Sequence, residues 1–572
     1  ISRVDLTGVM KIAKMFSPKL ADVDIGGTIR HSTLAASYKP GMVYVSPLHL
    51  VLDHFGFRNT APQASTAEFV EPELTVDLAC QAVTGPTTLV HITTLAIHTA
   101  DGALALNISK PMTIQTGTTM AAMIPAFAMN ANLAKSVPLL EALGKLKAGA
   151  KLQGLAALHG SLESKTGQIT ANLTGGVQNY QLTIQGLAAN LPPDNITLTV
   201  SGVVNPSATT FTCLDNCLIE EHAVTGSGSD KLQLNKGSVI AWSDQSPEHV
   251  DGAVRYNLAR LQALLGPMLP AGLTMTGKHT MKLHITGQLT ADQGLREFRR
   301  LNIARTSLGF EKIAIDGLTL GPGEIPFEES GGILQLIPSA IPANQGTLNT
   351  GGHIDFNLPT PEYVLSRPLA LVNNVQINGA MGGSLLNFLP LAWGAGSQPA
   401  GLVQLSGLLN LQLQKANLPL VFAQLNKTGT LTGTVSATHI TSDSPLFALI
   451  TSSMGPFASA NGSSLALKDS GIRPTTFNLS NGKIYYQNLK LLLASFGMAF
   501  SGWVGLDQTL HQDVNVSGAG ITVPVPLSIE GTTSKPKLHL SAKPLQNIGH
   551  DLGNTLKNAP TIINNLKGLF GH

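Results

Sequence analysis

The stretch Thr475–Leu540 reads TTFNLSNGKIYYQNLKLLLASFGMAFSGWVGLDQTLHQDVNVSGAGITVPVPLSIEGTTSKPKLHL, and it decides the fold prediction. Its apolar residues recur at every second position, segment after segment. Asn481-Gly482 supplies the two positive-φ residues of a tight hairpin turn, and Asp507-Gln508 marks another turn. A period of two that continues through successive turns predicts an antiparallel meander with one apolar face and one polar face.

The same alternation assigns side chains to the apolar face. In the strand after Asn481-Gly482, the residues Tyr485, Leu489 and Leu491 have one parity, so we expect them on that face. The candidate lining residues are Phe477, Leu479, Leu489, Leu491, Met498, Phe500, Val504, Val514, Val516, Val523, Val525 and Leu527.

The composition restricts the function classes. Only 12% of the residues are charged, about half of the roughly 25% usual in soluble domains. Lys+Arg 36 against Asp+Glu 34 gives a net charge of +2, which argues against a nucleic-acid partner. Aromatic residues make up 5%, too few for platforms that stack bases or sugars, whereas the hydrophobic fraction is 43%.

Strand patterns recur along the whole chain and are interrupted by short helical ones. Ser136 is expected to cap a helix with Pro138 in its first turn, and a second helix is expected over residues 247–265. Further short helices are expected at Ser384–Trp393, Leu418–Leu425 and Leu446–Ser453. We divide the chain into β segments at 1–118, 151–270, 271–443 and 444–541, a helical insertion at 119–150 and an amphipathic tail at 542–572.

The ends of the sequence suggest contacts outside the sheet. The chain begins with Ile1 instead of Met, so we expect that a signal peptide or membrane anchor precedes it in the full protein. The tail has apolar residues at helical spacing and is expected either to touch a membrane or partner or to pack back on the sheet. Its candidate contact residues are Leu552, Leu556, Ile563, Leu566, Leu569 and Phe570.

Catalytic motifs are absent from the sequence: it contains no nucleophile elbow, no phosphate-binding loop and no zinc-protease motif. We therefore expect a protein without enzymatic activity, catalytic residues or a metal site. His91 and His98 have opposite strand parity, as do His279 and His284, so neither pair is expected to share a face. Cys213 and Cys217 are a candidate disulfide pair, with reduced thiols or, less readily, a metal as the alternatives.

The last hundred residues resemble the C-terminal region of AsmA-like proteins of the Gram-negative envelope. The resemblance rests on FSGWVGLDQTL, which begins at Phe500, and on PVPLSIEGTTSKPK, which begins at Pro524. It implies an elongated, twisted, taco-like groove of antiparallel β-sheet that carries phospholipid between inner and outer membranes. We expect no cofactor other than a bound phospholipid or another acyl lipid. The resemblance also implies a location in the periplasm or cell envelope.

Two interpretations of the apolar face stay open. It packs against helices or a second sheet in the usual way, or it forms an unclosed groove that holds acyl chains. The excess of aliphatic residues over charged ones favours the groove, and hence a mainly β, non-enzymatic protein that binds or conducts lipid. The alternative is a structural subunit of an envelope assembly whose apolar faces are buried by partner chains. The basic run Arg296–Arg305 fits either lipid headgroups or a solvated face.

Overall fold

The structure, a computed structural model, describes most of the chain. The described residues are 4–8, 10, 23–33, 35–59, 68–116, 121–143, 146, 151–183, 194–223, 229–243, 247–266, 269–288, 298–393, 405–442, 446, 450, 470–492, 496–518 and 521–540.

The prediction of a mainly β, antiparallel fold with few short helices is confirmed. Strands make up 71%, and the described strands form one antiparallel sheet of 37 strands. The chain divides into two compact units. The first unit comprises Ile1–Pro270, Gly277–Ala291 and Arg300–Thr306, and the second comprises Ala271–Thr276, Asp292–Arg299 and Ser307–His572. The finer division into six segments stays a prediction.

The first unit is built from long strands that pair mostly with their neighbours along the chain. The strands are β1 (Val4–Asp5), β2 (Val23–Thr33), β3 (Ala36–Lys39), β4 (Met42–Asn59), β5 (Glu68–Val83), β6 (Thr88–Thr99), β7 (Leu104–Ile108), β8 (Met112–Thr116), β9 (Ala121–Asn132), β10 (Lys151–Lys165), β11 (Gln168–Thr183), β12 (Asp194–Asn205), β13 (Thr210–Cys213), β14 (Cys217–Ala223), β15 (Ser229–Leu234), β16 (Val239–Ala241), β17 (Glu248–Asn257), β19 (Lys278–Gly287) and β20 (Leu301–Phe310, of which 307–310 belong to the second unit). The order of pairing runs from β2 through β4 and β5 to β6, which pairs with both β7 and β8, and these two pair with β9. It continues from β9 through β10, β11, β12, β14, β15 and β17 to β19.

Two helices of the first unit each begin directly after a strand. The helix α1 (Leu133–Ala142) is capped by Asn132, whose side chain accepts a hydrogen bond from the backbone N–H of Lys135. The helix α2 (Leu258–Leu265) is capped in the same way by Asn257. A short polar side chain at a strand end can satisfy the free N–H groups of the first helical turn, which explains both transitions.

Two helix predictions are therefore corrected. Ser136 does not cap the first helix but lies inside it, where its hydroxyl donates to the carbonyl oxygens of Ala103 and Asn132. Most of the helix expected over 247–265 is strand β17, and only its last part is helical. The apolar residues of β17 fit the spacing of a helix as well as that of a strand. Hydrogen bonding to β15 and β19 stabilises the strand.

The second unit contains shorter strands, followed by the meander. Its strands are β18 (Thr274–Thr276), β21 (Lys312–Ile315), β22 (Leu318–Leu320), β23 (Gly323–Ser330), β24 (Ile333–Leu336), β25 (Ala340–Ala343), β26 (Gly346–Asn349), β27 (His353–Asp355), β28 (Glu362–Leu365), β29 (Leu369–Asn378), β30 (Leu405–Pro419), β31 (Thr430–Ser442), β32 (Ser470–Ser480), β33 (Lys483–Leu492), β34 (Phe496–Gly505), β35 (Thr509–Gly518), β36 (Ile521–Thr532) and β37 (Pro536–Leu540). Helices of the described part of this unit include α3 (Gly379–Gly382), α4 (Phe422–Thr428) and a 3₁₀ helix at Pro390–Ala392, and Leu446 and Ile450 are also helical.

These helices replace the ones expected at Ser384–Trp393 and Leu418–Leu425. The first expected helix is a series of turns that ends in the 3₁₀ helix, because Pro390 cannot donate the hydrogen bond that an α-helix needs there. In the second, β30 continues to Pro419 because it pairs with β28, and α4 starts only at Phe422.

The meander predicted from Thr475–Leu540 is confirmed from β32 to β37. Asn481 and Gly482 have φ values of 50° and 68° and connect the paired residues Ser480 and Lys483, as a two-residue hairpin requires. One detail of the parity is wrong, because a bulge in β33 shifts the register between Tyr486 and Leu489. Tyr486 therefore lies on the buried face in place of Tyr485, and its hydroxyl donates to the carbonyl oxygen of Phe388.

A segment around Trp393 closes the apolar face of the meander. Trp393 and Phe500 are both fully buried, with ring centroids 6.0 Å apart in an edge-to-face arrangement. The Trp393 indole N–H donates to the carbonyl oxygen of Asn387 over 2.9 Å, which fixes the ring. Leu389 and Leu391 are also fully buried in the same hydrophobic cluster, so this face has a protein-filled core.

We predict that Trp393→Ala destabilises the second unit by about 3–5 kcal/mol, since the substitution leaves a large cavity in a packed core. Urea unfolding followed by circular dichroism measures the change. Trp242→Ala is the matched control, because Trp242 is 53% exposed and its loss should change the free energy of unfolding little. Equal effects of the two substitutions would contradict the assigned core.

One buried acid in the second unit has no partner for one of its oxygens. Glu329 in β23 is 3% exposed, and its Oε1 makes no hydrogen bond. Burial raises the pKa of its carboxyl group to about 7. The folded state therefore favours the protonated acid, and ionisation destabilises the fold as the pH rises from the unfolded pKa through the folded one.

Glu329→Gln should remove this pH dependence. We expect the variant to match the wild type below about pH 4.5 and to be more stable by on the order of 3 kcal/mol at pH 8. Denaturant unfolding at pH 5 and pH 8 measures the difference. Glu328→Gln, at the neighbouring exposed position, serves as the control. A stability difference that is independent of pH would contradict the assignment.

Candidate functional site

The residues predicted to line a groove in the meander lie in the core of the second unit. Phe477, Leu479, Leu489, Leu491, Met498, Phe500, Val504, Val514, Val516 and Leu527 are all buried. The side chains of Val523 and Val525 lie outside the described part, as do the tail residues Leu552, Leu556, Ile563, Leu566, Leu569 and Phe570. The apolar face of the meander is thus in contact with Trp393 and its neighbours, and a lipid-lining role for these residues stays a prediction.

A more accessible apolar surface crosses the first unit. Directly paired residues of twelve successive strands form one row on the same face of the sheet, which we call the apolar stripe. Eleven are aliphatic or Met, and Gly175 is the exception. Its members are Leu50, Val76, Ile97, Leu106, Met129, Leu158, Gly175, Leu198, Ile219, Leu232, Val254 and Met281.

The stripe differs from the core of the second unit in its exposure. None of its members is buried, and Ile219 is 42% exposed. A second apolar row runs beside part of it through Phe127, Leu173 and Val200. Because twelve strands are spaced by about 4.8 Å, the stripe extends for roughly 50 Å along the sheet. Soluble proteins rarely expose an apolar surface of this extent unless it binds something.

The opposite face of the same strands is mostly polar. The row displaced by one residue contains His49, Asp77, Asn107, His159 and Thr199 among its paired members. A cavity of about 940 Å³ opens on this side and is lined by Asn130, Ala157, His159, Gly176, Thr197 and His222, among others. The two faces of the first unit are therefore chemically distinct.

A group of charged side chains lies beside the stripe, where it crosses β12, β14 and β15. Glu221 lies two residues beyond Ile219, and Asp230 lies two residues before Leu232, so both are on the face of the stripe. Arg260 of α2 reaches Asp194 with Nη2 at 2.5 Å, Glu221 at 2.6 Å, and Asp230 with Nε at 3.7 Å. We call these four residues the Arg260 cluster.

Burial controls the ionisation of this cluster. Desolvation raises the pKa of Glu221, and the Arg260 guanidinium opposes the increase. The pKa of Asp230 is raised for the same reason, again against the effect of Arg260. Tyr180 also has a raised pKa, through burial first and the charge of Glu221 second. The cluster therefore contains more carboxyl groups than its single cation neutralises.

The other sequence candidates do not form a site. Within the described residues, no group of three or more His, Cys, Asp or Glu is arranged to hold a metal ion. Cys213 and Cys217 are buried free thiols, and the Cys217 thiol donates to the carbonyl oxygens of Ser201 and Asp215. Burial first, and the neighbouring Cys217 thiol second, raise the pKa of Cys213 to about 12. The disulfide between them stays a prediction.

The histidine pairs give one confirmed and one corrected prediction. His279 and His284 lie on opposite faces, since β17 and β19 pair without a bulge. His91 and His98 share a face, contrary to the parity argument, because a bulge at Thr93 shifts the register. Their partners Gln81 and Thr75 are six residues apart in β5, a separation of about 20 Å, so they cannot bind one ion.

Comparison with known proteins adds no relative: the chain matches no family model, no curated protein and no solved structure. Among the described residues, none of the helices combines the length and the apolar character that are needed to cross a bilayer.

The sequence contains the alternation that builds the stripe, as in Leu74–Cys80 and Ile196–Val200. It does not contain the register that aligns twelve such strands into one row. The Arg260 cluster was missed because its members come from two strands, a strand end and a helix, separated by up to 66 residues.

We predict that Arg260→Met destabilises the first unit by about 3 kcal/mol near pH 8, because three carboxylates lose their shared cation. The effect should shrink at pH 5, since the raised pKa values of Glu221 and Asp230 allow these groups to take up protons there. Denaturant unfolding at both pH values measures this. Arg255→Met is the control, because Arg255 pairs with Glu220 at a more exposed position and should cost less than about 1 kcal/mol. A loss that is independent of pH would contradict the proposed charge balance.

Proposed function

We propose that the first unit binds the acyl chains of lipids on the apolar stripe, and that the protein is a non-enzymatic lipid-binding or lipid-conducting protein of the cell envelope. The observation that carries the proposal is the row of partly exposed residues on twelve paired strands, eleven of which are aliphatic or Met. The resemblance of the C-terminal residues to AsmA-like envelope proteins supports the same function and the same location.

The energetics favour an acyl chain as the occupant. Removing apolar surface from water contributes about 0.8 kcal/mol for each methylene group, and the contact needs no directional partner. The stripe offers methyl and methylene groups and few hydrogen-bonding groups over its length, so a long hydrocarbon chain fits it better than a polar molecule. Its continuity also lets a chain shift from strand to strand without crossing a polar barrier.

Site-specific photo-cross-linking tests the proposal. A benzoylphenylalanine residue replaces Leu198 on the stripe, or Thr199 on the opposite face of the same strand. We expect irradiation in cells to attach lipid at position 198, and mass spectrometry of the purified protein to identify the adduct. Position 199 is the matched control and should carry little or no lipid.

Other outcomes separate the alternatives. Cross-links from position 198 to another protein would contradict the proposal and favour the structural-subunit hypothesis, in which partner chains cover the apolar face. Equal lipid labelling at 198 and 199 would indicate non-specific contact and also contradict it. The same residue placed at Ile219 gives an independent measurement on a neighbouring strand.

A further inference from the structure

The Arg260 cluster lies where the polar end of an amphiphile on the stripe would be. Ile196 pairs with Glu221, and Leu198 of the stripe pairs with Ile219, so the cluster occupies the next rows on the same face. Asp194 lies two residues before Ile196. Each step of two residues along a strand spans about 7 Å, so acyl chain and cluster are adjacent.

The cluster contains more acidic side chains than basic ones. Three carboxyl groups, on Asp194, Glu221 and Asp230, share the single guanidinium of Arg260. The nearby Arg255 is on the opposite face, where it forms an ion pair with Glu220 at 2.9 Å. A buried anionic excess of this kind is costly unless a cation or protons neutralise it.

Unsatisfied polar atoms are concentrated at the same place. Among the described residues, eleven buried side-chain nitrogen or oxygen atoms have no hydrogen-bond partner, and the cluster contains three of them: Asp194 Oδ1, Asp230 Oδ1 and Arg260 Nη1. A fourth is Nε2 of His279, whose ring contacts Tyr256. Asp194 is 3% exposed, and the Arg260 side chain beside it is 18% exposed, so a ligand reaches the unpaired oxygen only when the neighbouring side chains move aside.

We propose that the Arg260 cluster binds the headgroup of a zwitterionic lipid whose amine carries N–H groups, with Asp194 and Asp230 accepting from the ammonium and Arg260 Nη1 donating to a phosphate oxygen. The unpaired atoms are two acceptors and one donor, which match an ammonium and a phosphodiester in one molecule. The ammonium lies against the carboxylates and the phosphate against Arg260, so each local charge gains a partner although the net charge of the cluster is unchanged. This inference rests on the proposed function, because it places the acyl chains of that lipid on the stripe.

The chemistry distinguishes among headgroups. A primary ammonium donates hydrogen bonds to the two carboxylate oxygens, whereas a trimethylammonium has the same charge but no N–H. A glycerol headgroup has neither charge nor ammonium and would leave the excess of carboxylates in place. The cluster should therefore prefer ethanolamine-type lipids over choline-type and glycerol-type lipids with the same acyl chains.

The test uses the full chain and equimolar vesicles of phosphatidylethanolamine, phosphatidylcholine and phosphatidylglycerol with identical acyl chains. After incubation and re-isolation of the protein, mass spectrometry measures the bound lipids. We expect phosphatidylethanolamine to be enriched at least about tenfold over phosphatidylcholine, as a charge-assisted hydrogen bond predicts. The double variant Asp194→Asn, Asp230→Asn should lose the enrichment while it still binds lipid, and Glu220→Gln on the opposite face should retain it.

The outcomes distinguish this inference from the proposed function. Equal binding of all three lipids by the wild type would overturn the headgroup site and leave the lipid-binding function standing, whatever the variants do. No bound lipid of any class would overturn both. Binding of free O-phosphoethanolamine without any bound lipid would also overturn the inference, since it assigns the cluster to the polar end of an amphiphile.

Discussion

The register of the antiparallel strands is the constraint on which the rest of the structure depends. Because successive side chains point to opposite faces, a slip of one residue would move an entire strand's apolar set to the other side. The pairs Leu198 with Ile219 and Ile219 with Leu232 keep that parity from strand to strand. The apolar stripe, the polar face behind it and the position of the Arg260 cluster all follow from this unbroken pairing.

The same alternating pattern has two different outcomes in the two units. In the second unit, the segment around Trp393 covers the apolar face, and Phe500 and Leu489 are fully buried. In the first unit, the stripe residues stay partly exposed, and the helix α1 contacts the strands near their ends. Alternation therefore creates an apolar face, but what covers that face determines whether it is a core or a binding surface.

Some buried polar side chains on the apolar faces have atoms without a hydrogen-bond partner. Gln512 is fully buried with both amide atoms unpaired, and Glu329 is buried with one free oxygen, each as a single residue. The Arg260 cluster is different, because several such atoms of opposite hydrogen-bonding character meet beside an open apolar surface. A single unpaired polar group only lowers the stability of the fold. A group of unpaired donors and acceptors beside a surface can pair with the polar atoms of one ligand, which is the chemistry of a binding site.

The sequence by itself determined the mainly β fold, the antiparallel meander and the turn at Asn481-Gly482, because period-two alternation and positive-φ turn residues are local properties. It could not determine the bulges at Thr93 and in β33, which exchanged the faces of His98 and Tyr485, since a bulge depends on the partner strand. The tertiary structure alone decided that Trp393 closes one apolar face and that Arg260 joins Asp194 across 66 residues. Those contacts depend on which strands become neighbours, and no local pattern in the chain specifies that.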